Sequence, residues 1–115
     1  IKQRQDTIKQ YTIPDSIEQT INSRTQGNDK QNFFKRNLMF GMRGTDVKAL
    51  QSFLNTNGFP LAYTGVGSHS HETEFFGRLT RAAVVTFQKA KQITPTLGNF
   101  GSITRSYINR LIGQK

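Results

Sequence analysis

The chain has no cysteine, no tryptophan and only three prolines in 115 residues. Without cysteine there is no disulfide framework, no thiolate metal site and no cysteine nucleophile. Acidic residues are scarce: seven Asp and Glu face sixteen Lys and Arg, for a formal net charge of +9. Long apolar runs are missing as well. Even the stretch Ile108 to Ile112 is interrupted by polar residues, so no segment is long and apolar enough to span a membrane as a helix. No signal peptide opens the sequence. It begins at Ile1 rather than Met, as expected of a processed product or a piece of something longer. The length suits one domain.

Catalytic patterns are also absent. There is no Gly-x-Ser-x-Gly, no Gly-x-Gly-x-x-Gly and no Walker sequence. Glu72 and Glu74 are too close in sequence to form the opposed carboxyl pair of a glycosidase. His69-x-His71 with Glu72 and Glu74 has the composition of a zinc set, because alternate residues of an extended loop point the same way. No third histidine exists, and Asp46 is the only further acid beyond residue 37. These residues are read as a polar surface loop. The expectation is a chain with no enzyme activity, no metal and no cofactor.

What is present falls into two textures. Residues 1–37 are rich in Gln, Asn, Thr and Lys, with scattered apolar residues. Pro14-Asp15-Ser16 suits the start of a short helix, with Ile17 and Ile21 on one face. Two isoleucines bury little, so this segment is expected to be a polar linker or an arm that docks on a partner. From Leu38 onward apolar residues recur at helical spacing. Val47, Leu50 and Leu54 mark a first helix, with Thr45 as its N-cap, Asp46 in its first turn and Gly58 as its stop. Leu79, Ala83, Val84 and Phe87 mark a second, from about Arg78 to Lys91. Ile103, Tyr107, Ile108 and Leu111 mark a third, from about Ser102 to Ile112. The long connection Phe59 to Gly77 holds both histidines, and Leu61 to Tyr63 could pair there as a short strand.

The helices repeat one another. Val47-x-x-Leu50-Gln51 returns as Val84-x-x-Phe87-Gln88. Gly77-Arg78-Leu79-Thr80-Arg81-x-x-Val84 returns as Gly101-Ser102-Ile103-Thr104-Arg105-x-x-Ile108. In each copy the glycine turns tightly into a helix, and an apolar residue is expected to anchor the first turn in the core. The threonine is expected to satisfy a free backbone group of that turn. The glutamine, at the edge of the buried face, is placed to bond the backbone of a neighbouring loop. All are read as scaffold. The expected fold is all-α, a small three-helix bundle over residues 38–113 with a long loop between its first two helices. Phe40, Phe53, Phe59, Phe76, Phe87 and Phe100 are its expected aromatic core.

These residues carry a family resemblance. Leu38-Met39-Phe40-Gly41-Met42-Arg43-Gly44-Thr45-Asp46-Val47-x-x-Leu50-Gln51-x-x-Leu54-Asn55-x-x-Gly58-Phe59 resembles the opening of the bacterial peptidoglycan-binding domain. Gly65-x-Gly67-Ser68, Glu72-Thr73-x-Phe75-Phe76-Gly77-x-x-Thr80-x-x-Ala83-Val84-x-x-Phe87-Gln88 and Ile93-x-Pro95-x-x-Gly98-x-x-Gly101-x-x-Thr104 are similar to the rest of that pattern. His69-Ser70-His71 stands where the family often has Pro-Gly or similar turn residues. The resemblance implies a three-helix module without catalysis that holds a protein on the bacterial cell wall, in the periplasm or outside the cell. It implies no particular ligand site.

The basic balance fits anionic partners, since a charged face acts over a Debye length of about 8 Å at physiological salt. Peptidoglycan is the expected partner. An envelope complex that docks on residues 1–37 is the alternative. A basic nucleic-acid-binding helical domain is the further alternative, against which the arginines are not gathered at the start of one recognition helix. A glycan–peptide strand needs an aromatic face, polar partners and a cation for its carboxylates. The candidate ligand residues are Tyr63, Thr64 and Ser68 in the long loop, Phe75 as platform, and Arg43 and Arg78 as cations. Phe76 is assigned to the core, because neighbours in an extended stretch face opposite ways.

Overall fold

The computed structural model describes residues 11–22 and 32–113. Among them lie four helices: α1 Asp15–Asn22, α2 Thr45–Thr56, α3 Arg78–Ala90 and α4 Ser102–Gly113. No strand forms among the described residues. Residues 61–63 do not pair, and the bridges that do occur, Leu38 with Phe100 and Arg43 with Phe75, are isolated and antiparallel. The all-α class and the three-helix frame of α2, α3 and α4 are as the periodicity predicts.

Helix α2 buries Val47, Leu50, Phe53 and Leu54. Its N-cap is Gly44 rather than Thr45, with no side-chain cap, and the Gly44 carbonyl accepts from Val47 N–H at 3.1 Å. Asp46 in the first turn is instead taken by Arg36, whose guanidinium donates at 2.8 and 3.0 Å to the two carboxylate oxygens. Those hydrogen bonds hold the Asp46 carboxyl below its ordinary value. At the other end Gly58 is left-handed (φ 92°), which lets Phe59 N–H return to the Leu54 carbonyl at 2.9 Å.

The buried stripe of α3 runs through Thr80, Ala83, Val84, Phe87 and Gln88, and that of α4 through Thr104, Ile108, Asn109 and Ile112. Ala83, Val84, Phe87 and Ile108 are buried as expected, but the inward residue of each first turn lies one position beyond the expected anchor. Leu79 is 47% exposed and Ile103 60% exposed. The reason is polar pairing. The threonine next to each points inward, because a buried glutamine amide waits for its hydroxyl. Gln51 Nε2 donates to Thr80 Oγ1 at 2.9 Å, and Gln88 Nε2 to Thr104 Oγ1 at 3.0 Å.

Phe53, Phe76, Phe87 and Phe100 are fully buried, as expected. Phe87 sits at the centre, with the rings of Phe53, Phe59 and Tyr107 edge-on to it at 6.3, 5.1 and 5.8 Å. Phe40 is not a core residue: it is 50% exposed. The core also draws on residues before Leu38. Ile13, Ile17 and Phe34 are buried in the same cluster. Residues 1–37, expected as a polar linker or partner-docking arm before a boundary at Leu38, thus contribute Ile13, Ile17 and Phe34 to the core of the domain. A core of so few residues gains from every further apolar side chain it can cover. Two asparagines fasten the segment by its backbone. Asn57 accepts from Thr12 N–H at 2.6 Å and donates to its carbonyl at 2.8 Å. Asn109 does the same for Phe34, at 2.9 and 3.0 Å. The Ile21 side chain lies outside the described residues.

Candidate ligand groove

The loop after α2 is organised by Asn55. Its amide donates to the Gly67 carbonyl at 2.9 Å and to Glu72 at 3.0 Å, and its oxygen accepts from Leu61 N–H at 2.9 Å. The far end of the loop is extended and pairs with residues 41–44. Gly44 N–H reaches the Glu74 carbonyl at 2.9 Å, Phe76 N–H reaches Met42, also at 2.9 Å, and Gly41 N–H reaches Phe76 at 2.8 Å. Gln51 then ties this stretch to both α2 and α3. Its oxygen accepts from Thr73 N–H at 2.7 Å, and its amide donates to the Phe75 carbonyl at 3.0 Å as well as to Thr80. This is the loop-bonding role that its position at the edge of the stripe suggests. The threonine acts as a partner of that amide rather than as a cap.

Between this loop and the start of α3 lies an open groove of about 510 Å³. Leu61, Val66, Thr73, Phe75, Arg78 and Leu79 line it, together with Gln51 and Thr80. Phe76 is in the core and Phe75 is half-buried at the groove, as the alternation of an extended stretch requires. The Arg43 guanidinium lies over the Phe75 ring, 4.5 Å from its centroid. The Phe40 ring stands 6.5 Å from the same ring, nearly edge-on.

Of the candidate residues, Phe75 and Arg78 line the groove, and Arg43 joins them through the Phe75 ring. Tyr63 is 89% exposed and Thr64 is also exposed; both belong to the loop, but neither lines the groove. Ser68 is buried, with its hydroxyl donating to the Gly65 carbonyl at 2.6 Å and lying 3.3 Å from His71 Nδ1. It holds a turn and does not line the groove. Leu61, Val66 and Leu79 line the groove without having stood among the candidates, Leu79 because its helical spacing and repeat position point it to the core. Among the described residues no three His, Asp or Glu side chains gather to hold a metal ion. The groove offers an aromatic face backed by a guanidinium, a second guanidinium and aliphatic walls. That chemistry suits a ligand with apolar faces and anionic groups.

Residues 43–108 match the peptidoglycan binding domain family, and the chain belongs to that family. The match spans α2, the long loop, α3 and the first half of α4, and it leaves out α1. Family membership associates the chain with the bacterial cell wall. No curated protein and no solved structure matches the chain. No helix among the described residues is long and apolar enough to cross a membrane.

Proposed function

We propose that this chain binds peptidoglycan in the groove beside Phe75, without catalysis, and so anchors or targets a larger protein or assembly to the wall. The observation that carries the reading is the joining of Phe75, Arg43 and Arg78 at one groove of a domain in this family. The Phe75 ring offers a sugar an apolar face, extended by the exposed Phe40. Arg78 and Arg43 meet stem-peptide carboxylates, where the planar guanidinium suits a bidentate contact. Tyr63 and Thr64 contribute at the rim, from the exposed part of the loop.

Pelleting with purified wall sacculi tests the site. Arg78→Ala should bind at least about tenfold more weakly, since a hydrogen bond to a charged group contributes about 1.5–3 kcal/mol. Phe75→Ala should weaken binding by a similar factor through loss of its apolar ring face, since burying such a side chain is worth about 1.5–3 kcal/mol. Tyr63→Ala should fall by less. Circular dichroism of each variant confirms that it remains folded. Undiminished pelleting of all three would remove the groove as the site. A zymogram should show no clearing by the purified chain. Clearing that is lost on chelation would restore the zinc reading of His69 and His71.

A further inference from the structure

The sequence repeat builds two copies of one frame. Gln51 holds Thr73 N–H, the Phe75 carbonyl and the Thr80 hydroxyl. Gln88 holds Gly98 N–H at 3.0 Å, the Asn99 carbonyl at 2.9 Å and the Thr104 hydroxyl at 3.0 Å. Both glutamines are buried. After each pinned carbonyl comes a buried phenylalanine, a glycine, one variable residue, an exposed aliphatic residue and a buried threonine: Phe76 to Thr80 in one copy, Phe100 to Thr104 in the other. The first frame borders the groove described above. The second borders a cavity of its own, about 250 Å³. Ile103 stands there where Leu79 stands in the first, and Ile93, Pro95 and Leu97 line it in place of Leu61 and Val66. Ile103 and Leu97 are both large aliphatic residues left more than half exposed.

The copies differ in charge. Asn99 replaces the platform Phe75, and Ser102 replaces Arg78. No residue lining the second cavity is charged. A stem carboxylate placed there would lose water and gain no cation. An uncharged acylated sugar would find aliphatic contacts for its methyl group and ring face at Ile103 and Leu97. Ser102 and Asn99 offer it hydroxyl and amide partners. The cavity is smaller than the ~300–1,000 Å³ of a drug-sized ligand site, so it suits one unit of a polymer.

We propose that the cavity beside Gln88 is a second subsite, selective for an uncharged N-acetylated sugar unit of the wall glycan, while the groove at Phe75 takes the carboxylate-bearing part. The proposal rests on the peptidoglycan reading above. Two sites on a repetitive polymer raise avidity without new contacts at either.

The test is an amide-resolved NMR titration of the full chain with two probes, the neutral N-acetylglucosamine tetramer and a stem-bearing muropeptide. The tetramer should shift Leu97, Asn99, Ser102 and Ile103, and the muropeptide should shift Phe75 and Arg78. Ile103→Glu should abolish the first set and leave muropeptide affinity within twofold. Leu97→Glu, on an exposed loop, gives an independent reading of the same loss. If the muropeptide moves the Phe75 groove while the tetramer leaves residues 93–104 unmoved, or moves only the Phe75 groove, the second subsite is overturned and the peptidoglycan reading survives. If the tetramer moves residues 93–104 but the muropeptide leaves Phe75 and Arg78 unmoved, the second subsite stands and the first groove falls. If neither probe moves any amide, both are overturned.

Discussion

Two buried amides set the tolerance of single residues in this domain. A buried glutamine costs stability unless every polar atom finds a partner, and here each has two donor contacts and one acceptor contact. The acceptor contact of Gln88 depends on Gly98. That glycine is left-handed (φ 83°), and a Cβ on it would lie 2.7 Å from Arg81 Cγ and 3.0 Å from the Arg81 carbonyl oxygen. The backbone oxygen cannot swing aside as a side-chain tip could. Gly98→Ala should therefore cost more than about 1 kcal/mol, beyond the ordinary range of a Gly–Ala exchange. Urea unfolding measures it. A loss under about 0.5 kcal/mol would mean that the loop relaxes without disturbing Gln88. The glutamine's role was legible because its place beside a core residue recurs. The threonine's was not, because a hydroxyl one position from an aliphatic residue gives no sign of which of the two turns inward.

At the scale of elements, α1 is the part that pattern alone misjudged. Pro14-Asp15 and the isoleucine spacing located the helix. The Pro14 carbonyl does accept the first turn's N–H groups, from Ile17 and Glu18, each at 3.0 Å. What the spacing cannot reveal is docking. The fastening residues, Asn57 and Asn109, lie 45 and 75 residues away from the backbone groups they hold. Ile17 is fully buried, so Ile17→Ala should lose about 2–5 kcal/mol, the range of a buried aliphatic truncation. The chain without residues 1–37 should likewise melt below the full chain. Equal thermal midpoints for Ile17→Ala and the parent would show that α1 detaches without cost to the core. By contrast α2, α3 and α4 were legible almost to their ends, because each carries several apolar residues at helical spacing and a glycine at one boundary. The long loop was legible only as a loop. Its shape comes from Asn55, whose three bonds reach residues 6, 12 and 17 positions away.

For the whole molecule, the excess of nine positive charges and the groove are separable contributions to wall binding. A net positive chain is drawn to an anionic polymer from any side, and that attraction is screened, with a Debye length of about 8 Å at 0.15 M salt and about 3 Å at 1 M. A guanidinium in direct contact with a carboxylate is screened far less. Arg78→Ala and Lys89→Ala each remove one charge from α3. Arg78 lines the groove and Lys89 lies exposed in the last turn. If the field alone held the chain on the wall, the two variants would lose the same affinity at low salt, and neither would differ from the parent at 1 M. With the groove as the site, pelleting of all three proteins weakens as salt rises. The Lys89→Ala deficit then disappears, while Arg78→Ala stays several-fold weaker than the parent at 1 M. Coincident curves for the two variants across the salt series would show that the arginine's position in the groove adds nothing beyond its charge.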